Sequence, residues 1–207
     1  EKYNDDADSK YVISNDGNTF TLKSGTELPI STEFTIPENK TLVNNGEITN
    51  DGWPVGINNT GTIENNGKIT NNGMIQNISG GEITNNGTIE NNFNAKIGNS
   101  GIFTNNGGTI TNKNGGTIEN ARYSIIENKK GIINNNGVIT SNAIIDNTGI
   151  ITNNEGKIEN IGTINNFDTV INNATIDIFG GYINNNVGAI IENNKKIDNT
   201  GIVSNYG

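Results

Sequence analysis

The sequence predicts an all-β protein, a single-stranded parallel β-helix in which three short strands per coil build a triangular β-solenoid. A six-residue unit, Gly-x-Ile-x-Asn-Asn, occurs twice between Gly61 and Gly73 and recurs with variations almost to the last residue. Isoleucine returns every six to eight residues, and asparagine usually stands two residues after it. Because a unit this short cannot bury a core alone, neighbouring units must stack on it, as in a solenoid.

The recurring isoleucines are the predicted inward anchors. Three units give a coil of about 18 to 22 residues, and about eight coils fit the repeat region. Anchors three units apart should stack on one another. In the unit at residues 169–173, Ile171 is the predicted inward anchor. One interior column is therefore predicted to contain Ile63, Ile83, Phe103, Ile126, Ile145, Ile164, Ile183 and Val203.

The asparagines that follow the anchors are predicted to point inward, because residues two apart in a strand face the same side. There they should stack as amide ladders just before each corner. Representative members of the predicted ladders are Asn65, Asn71, Asn85, Asn91, Asn105, Asn153, Asn193 and Asn199.

The N-terminal residues 1–33 are predicted to form a separate segment with a β-hairpin cap, followed by a repeat domain at residues 34–207. Two alternating runs, residues 11–14 and 19–22, flank the turn sequence Asn-Asp-Gly-Asn at residues 15–18, a pattern typical of a hairpin. A cap is expected because the end of a solenoid exposes unpaired backbone groups.

The composition limits the functional classes. The chain has 45 asparagines, 31% hydrophobic residues and a formal net charge of −9. Asparagine-rich chains include disordered and prion-like ones, but the regular isoleucine spacing favours order. The acidic balance argues against nucleic acid or anionic membrane as partners, and no apolar run is long enough for a transmembrane segment.

An extracellular or cell-surface location is expected. The chain has no cysteine, which is common in exported bacterial proteins. Its start, Glu1-Lys2-Tyr3, is typical of a mature end left after removal of a signal peptide.

Units such as NNGTIENNGKITNNG resemble the Asn/Gly-rich repeats of secreted parallel β-helices, among them filamentous-haemagglutinin-like adhesins and autotransporter passenger domains. The segment FTIPENKTLVNNGEITN is similar to the lead-in found before such repeats in bacterial surface proteins. The resemblance covers about residues 34–207 and implies an elongated extracellular helix, with a right-handed sense favoured, that is used for adhesion or as a spacer. The nearly pure six-residue units leave a left-handed hexapeptide helix open.

No catalytic, cofactor-binding or metal-binding residue is predicted, and the chain is expected not to be an enzyme. A β-helix lyase or glycosidase needs a cation or two opposed acids, whereas the glutamates that follow the anchors are dispersed. Arg122, the only arginine, lies beside Tyr123 in a long unit, where a solvated bulge and a sugar contact are the two alternatives. Asp5, Asp6 and Asp8 are weak calcium candidates without a spaced glycine-containing loop.

The residue before each anchor should face outward. This position is mostly polar in the first coils and largely aliphatic later, and contiguous exposed apolar area usually marks an interface. The alternative is that these residues are β-branched because they favour strand formation on a partly solvent-exposed sheet, without forming an interface. The predicted assembly interface contains Ile102, Ile125, Ile132, Ile144, Ile150, Val170, Tyr182, Ile190, Ile202 and Tyr206.

The leading functional prediction is a non-enzymatic structural or adhesive β-solenoid that assembles into filaments or surface layers. Its partners would be further copies of itself, either head-to-tail through the N-terminal region or side by side. The alternatives are an adhesin or phage-type fibre module that binds a surface ligand such as a glycan, an ice-binding protein, and a carbohydrate-active enzyme. Ice binding would need repeated Thr-x-Thr, which surrounds only one repeat anchor, at residues 109–111.

Overall fold

The computed structural model describes residues 11–13, 17–54 and 56–207, which form a parallel β-solenoid of about nine turns. Within these ranges every regular element is a strand. The predicted fold class is confirmed, whereas the right-handed sense of the coil stays a prediction.

Three faces make up the solenoid, and the strands are numbered here in chain order. The first face begins with the antiparallel strand β1 (Tyr11–Ile13) and continues in parallel through β2 (Thr19–Leu22), β5 (Thr41–Asn44), β8 (Thr62–Asn65), β11 (Glu82–Asn85), β14 (Ile102–Asn106), β17 (Ile125–Asn135), β19 (Ile144–Asn153), β21 (Thr163–Asn166), β24 (Tyr182–Asn185) and β27 (Ile202–Asn205). The second face contains β3 (Glu27–Ile30), β6 (Glu47–Asn50), β9 (Lys68–Asn71), β12 (Thr88–Asn91), β15 (Thr109–Asn112), the second halves of β17 and β19, β22 (Thr169–Asn172) and β25 (Ile190–Asn193). The third face contains β4 (Phe34–Ile36), β7 (Ile57–Asn59), β10 (Met74–Asn77), β13 (Lys96–Asn99), β16 (Thr117–Asn120), β18 (Val138–Ser141), β20 (Lys157–Asn160), β23 (Thr175–Ile178) and β26 (Lys196–Asn199).

The length of a turn follows from the strand register. Ile125 pairs with Ile144, 19 residues further on, and Ile102 pairs with Ile125, 23 residues further on. The predicted coil length is therefore close, and the predicted number of coils is one too small. The predicted interior column is confirmed throughout, from Ile63 through Phe103 to Val203.

The missed coil is the first one. Strands β2, β3 and β4 pair in parallel with the strands of the next turn, so the solenoid starts at Thr19 and the predicted boundary at residue 34 falls inside its first turn. This turn has Leu22, Ile30 and Ile36 where later turns have asparagine, and all three are buried. The repeat pattern is therefore not visible there. Strand β1 pairs antiparallel with β2, as the hairpin prediction requires, while residues 14–16 of its turn lie outside the described residues.

One anchor was assigned to the wrong residue. Val170 lies inside the solenoid with 5% of its surface exposed, and it stacks on Ile151. Ile171 faces outward. The unit contains both Asn172 and Asn173, so the sequence pattern allows two registers, and stacking on the turn below selects the one in which Asn172 points inward.

Amide ladders run along the inside of the solenoid, as predicted. On the first face, each asparagine from Asn44 to Asn185 donates from Nδ2 to Oδ1 of the asparagine in the next turn, at 2.7 to 2.9 Å, until Asn205 is reached. The second face has a similar ladder from Asn50 to Asn193. All of these amides donate toward the C-terminal turn, so the inner ladders have one polarity.

The third ladder is interrupted. It runs from Asn59 to Asn120 and reaches the hydroxyl of Ser141 at 3.4 Å, where it stops because that hydroxyl donates to Ala143 O at 3.2 Å and not to Asn160 in the next turn. One turn beyond Asn160, Ile178 occupies the asparagine position. Between Ser141 and Ile178, Oδ1 of Asn160 is buried without a hydrogen-bond partner.

Two predicted ladder members differ from the rest. Asn199 stacks on Ile178, so no amide below donates to it, and its Oδ1 accepts from the Gly201 backbone N–H at 2.8 Å. Asn193 accepts from Asn172 at 2.7 Å, but both Asn193 and Asn199 are exposed in the last turn. The inward placement is therefore confirmed for Asn65, Asn71, Asn85, Asn91, Asn105 and Asn153, which are fully buried.

The corners between faces have different lengths. In short corners the backbones of successive turns approach closely; Thr88 N–H bonds to Gly67 O at 2.9 Å, and a Cβ on Gly87 would overlap that oxygen. Seven four-residue corners in the described ranges are closed by a hydrogen bond from the fourth N–H to the first C=O. In these corners the third residue has a positive φ, where glycine or asparagine is favoured; those residues are Gly25, Asn39, Gly80, Asn94, Gly115, Tyr123 and Gly188.

Candidate interaction surfaces

The outward surface of the third face is charged. Lys96 pairs with Glu119 at 2.5 Å, and Lys157 contacts both Glu159 and Asp177 at 2.7 Å. The hydrogen bonds with Asp177 and then Glu159 raise the pKa of Lys157, and Asp198 likewise raises the pKa of Lys196. Apart from the buried Asp177, these groups are partly exposed, and exposed ion pairs contribute little to stability.

The first face carries an apolar row, here called the first stripe, at the outward position before each anchor. Successive strands place its members one turn apart, with Thr163 as an interruption. The stripe consists of Ile102, Ile125, Ile144, Tyr182 and Ile202. Ile125 is half-buried and the others are 39% to 52% exposed, so the sequence prediction places these residues correctly.

The second face carries a shorter row, the second stripe, made of Ile132, Ile150 and Ile190. These side chains are 38% to 56% exposed. The predicted member Val170 is wrong, since it is an interior anchor, and Thr169 takes the outward position. Both stripes are therefore interrupted in the same turn, by Thr163 and Thr169.

Sequence reasoning missed several apolar residues at the corners. Ile161 and Phe179 are about half exposed and occupy stacked corner positions beside the first stripe, and Phe167 and Val187 are exposed at the corner between the two stripes. Their signal in the sequence is a single apolar residue where other corners have asparagine, threonine or serine. Tyr206, also predicted for the interface, is exposed after the last strand.

The first turns lack these rows. The outward position before the anchor is Thr19, Thr41, Thr62 and Glu82 on the first face. On the second face, Thr109 and Thr111 stand between Thr88 and Glu90 in the turn below and Ile132 and Asn134 in the turn above. Because the threonine pair does not continue into either neighbouring turn, this face lacks the extended array that ice binding would need.

The acidic side chains were also compared with the requirements of a metal site. No group of three or more potential metal-ligating side chains occurs in the part of the chain that the structure describes. Glu127 hydrogen-bonds Lys129, which lowers the pKa of the glutamate despite partial burial, and accepts from Thr104 at 2.9 Å. Asp5, Asp6 and Asp8 lie outside the described residues.

Comparisons with protein-family models, curated proteins and solved structures give no match to this chain. Among residues 11–13, 17–54 and 56–207, no helix has the length and apolar character needed to span a bilayer.

Proposed function

We propose that this chain is a non-enzymatic, extracellular structural β-solenoid that associates side by side with further copies of itself into filaments or layers. The observation that carries the proposal is the pair of apolar stripes on two adjacent faces of the C-terminal half. A contiguous exposed apolar surface usually marks an interaction site. Two stripes on adjacent faces give each copy two neighbours, which allows open growth.

The spacing of the stripes favours a second copy as the partner. Their side chains repeat once per turn, which is about 4.8 Å along the axis of stacked parallel strands. Another solenoid of the same rise offers side chains at the same interval, so contacts can repeat along the whole length of a stripe. A globular partner does not present side chains at this regular interval.

Replacing Ile132, Ile150 and Ile190 with threonine should weaken self-association, because it removes the apolar side chains of the second stripe. The fold should be kept, because threonine is β-branched and the three positions are only partly buried. Conversely, Thr169→Ile fills the gap in the second stripe and should strengthen association. Sedimentation velocity over a concentration series, with negative-stain microscopy of the largest species, measures both changes. Association should also increase with salt, since screening reduces the repulsion between copies that carry a net charge of −9.

As a matched control, Thr49, Thr70 and Thr111 on the same face are changed to serine, which alters three outward residues outside the stripe. That variant should associate like the intact chain. A chain that stays monomeric at its highest soluble concentration, or a triple threonine variant that assembles unchanged, would refute the proposal.

A further inference from the structure

The third face contains a notch of about 390 Å³ where Gly98 occupies an outward strand position. A Cβ placed on Gly98 would meet only the Lys96 Cε, at 4.0 Å, and the residue has no positive φ. Neither packing nor backbone conformation therefore requires glycine here. Because Gly98 has no side chain, the surface is open between Gln76 in the turn below and Glu119 in the turn above.

The corner beside the notch deepens it into a groove. The two-residue corner at residues 100–101 lies between two four-residue corners, residues 78–81 and 121–124, in the adjacent turns. Because turns stack about 4.8 Å apart, these longer corners form walls about 10 Å from each other. Ile78 and Ala121 line the groove from the two walls, with Ser100 between them.

The groove offers polar groups that the protein itself does not use. The side-chain amide of Gln76 and the hydroxyl of Ser100 make no hydrogen bond within the described part of the chain. Glu119 pairs with Lys96 at 2.5 Å and keeps further acceptor capacity. An amide, a hydroxyl and a carboxylate around a one-turn-wide groove are suited to a ligand with several hydroxyl groups.

Tyr123 belongs to the corner that forms the upper wall, outside the residues that line the groove itself. Its φ is +67°, and the other six four-residue corners have glycine or asparagine at this position. A bulky residue with positive φ is strained, and such strain concentrates at functional sites. The side chain gains no packing in return, since Tyr123 is 99% exposed. The exposed ring is available to stack on a ligand.

Arg122 precedes Tyr123 in the same corner and follows Ala121, which lines the groove. It is the only arginine of the chain and forms no ion pair with the residues that the structure describes. A guanidinium group binds carboxylates through a planar, two-pronged contact.

We propose that this groove binds an acidic glycan, with one carboxylated pyranose between the two walls. Hydroxyl groups of the sugar bond to Gln76, Ser100 and Glu119, the sugar ring stacks on Tyr123, and the carboxylate pairs with Arg122. The site lies on the charged third face and its corner with the first face, next to Ile102 and Ile125 of the first stripe, and it uses none of the stripe side chains. It does not rest on the proposed self-association and gives the solenoid a ligand-binding role of its own.

Isothermal titration calorimetry of the full chain tests the site with a tetrasaccharide of alternating glucuronic acid and N-acetylglucosamine, and with its methyl ester as the uncharged counterpart. Gly98→Thr fills the notch with the residue type that Thr140 supplies two turns away in the same column. Tyr123→Asn removes the ring but suits the positive φ. Each variant should bind the acidic tetrasaccharide at least about tenfold more weakly than the intact chain, while the melting temperature of Tyr123→Asn stays equal or rises.

The matched control is Phe93→Ala, which removes an exposed aromatic side chain from a four-residue corner between the second and third faces and should leave affinity unchanged. Arg122→Gln should reduce the preference for the acid over its methyl ester. Absence of binding by the intact chain, unchanged affinity in Gly98→Thr, or equal affinity for the acid and the ester would each overturn the proposal. None of these outcomes bears on self-association, which is measured without the sugar.

Discussion

Asn105→Asp should unfold at a temperature about 10 °C lower than the intact chain at pH 7, which corresponds to a loss of about 3–5 kcal/mol. Nδ2 of the fully buried Asn105 donates to Asn128 Oδ1 at 2.9 Å, to Gly108 O at 2.9 Å and to Ile132 O at 3.2 Å. An aspartate oxygen in its place has no proton and faces three acceptors. The substitution therefore buries an uncompensated charge without changing the size of the side chain.

The loss should depend on pH. Burial among acceptors raises the pKa of the new carboxyl group in the folded state above its unfolded value of about 3.9. The penalty is therefore fully present above the folded pKa and disappears below the unfolded pKa, where the protonated acid can donate one hydrogen bond. Melting curves at pH 3 and pH 7 should show a smaller difference from the intact chain at pH 3.

Asn106→Asp provides the matched control one residue along. Asn106 is exposed and donates to Asn86 at 2.8 Å in an outer ladder that includes Asn66. Its substitution should change the free energy of unfolding by no more than about 0.5 kcal/mol. Similar melting temperatures for the two variants would show that the inner ladder does not stabilise the solenoid.

Phe103→Ala should lower the free energy of unfolding by about 3–5 kcal/mol. Phe103 is the one aromatic residue in the predicted interior column, is 1% exposed, and stacks between Ile83 and Ile126. Two narrow apolar cavities along the axis, of about 10 Å³ and 30 Å³, both border on its ring. Truncation to alanine removes the ring and joins these cavities into one larger void that the short strands around it cannot close.

Chemical denaturation should separate this variant from Phe93→Ala, in which a 70% exposed ring is removed and the expected change is within about 0.5 kcal/mol. Phe103→Ile should fall between the two, because it restores the residue type of the neighbouring turns but not the volume. An alanine variant at residue 103 as stable as the one at residue 93 would contradict the role of Phe103 as the filler of the axis.

The sequence pattern predicted the interior well because one short period determines both inward positions of every strand. Stacking of Ile63 on Ile83 and of Asn65 on Asn85 follows from that period alone. The prediction failed where the pattern allows two registers, at Val170, and where apolar residues replace asparagine, in the first turn. In those places the inward residue is selected by contacts with the adjacent turn. The sequence of a single unit carries no information about these contacts.

The candidate surfaces could be predicted only in part, for a related reason. The stripes follow from strand alternation, since the residue before an inward anchor must face outward. Ile161 and Phe179 were missed because the period does not fix where a corner residue points. The groove at Gly98 depends on the lengths of three stacked corners that are about 20 residues apart in the chain, and single units carry no information about their neighbours.

The interruption of the third amide ladder at Ser141 has a consequence for the dynamics of the chain. Turns beyond this point are held by two continuous ladders instead of three, so partial opening of the C-terminal turns should cost less free energy than opening of the middle ones, and their backbone amides should exchange with solvent sooner. Most of the stripe residues lie in or next to these turns. A neighbour that binds there would stabilise by mass action the half of the solenoid that resists opening least, so exchange protection in that half should rise with protein concentration.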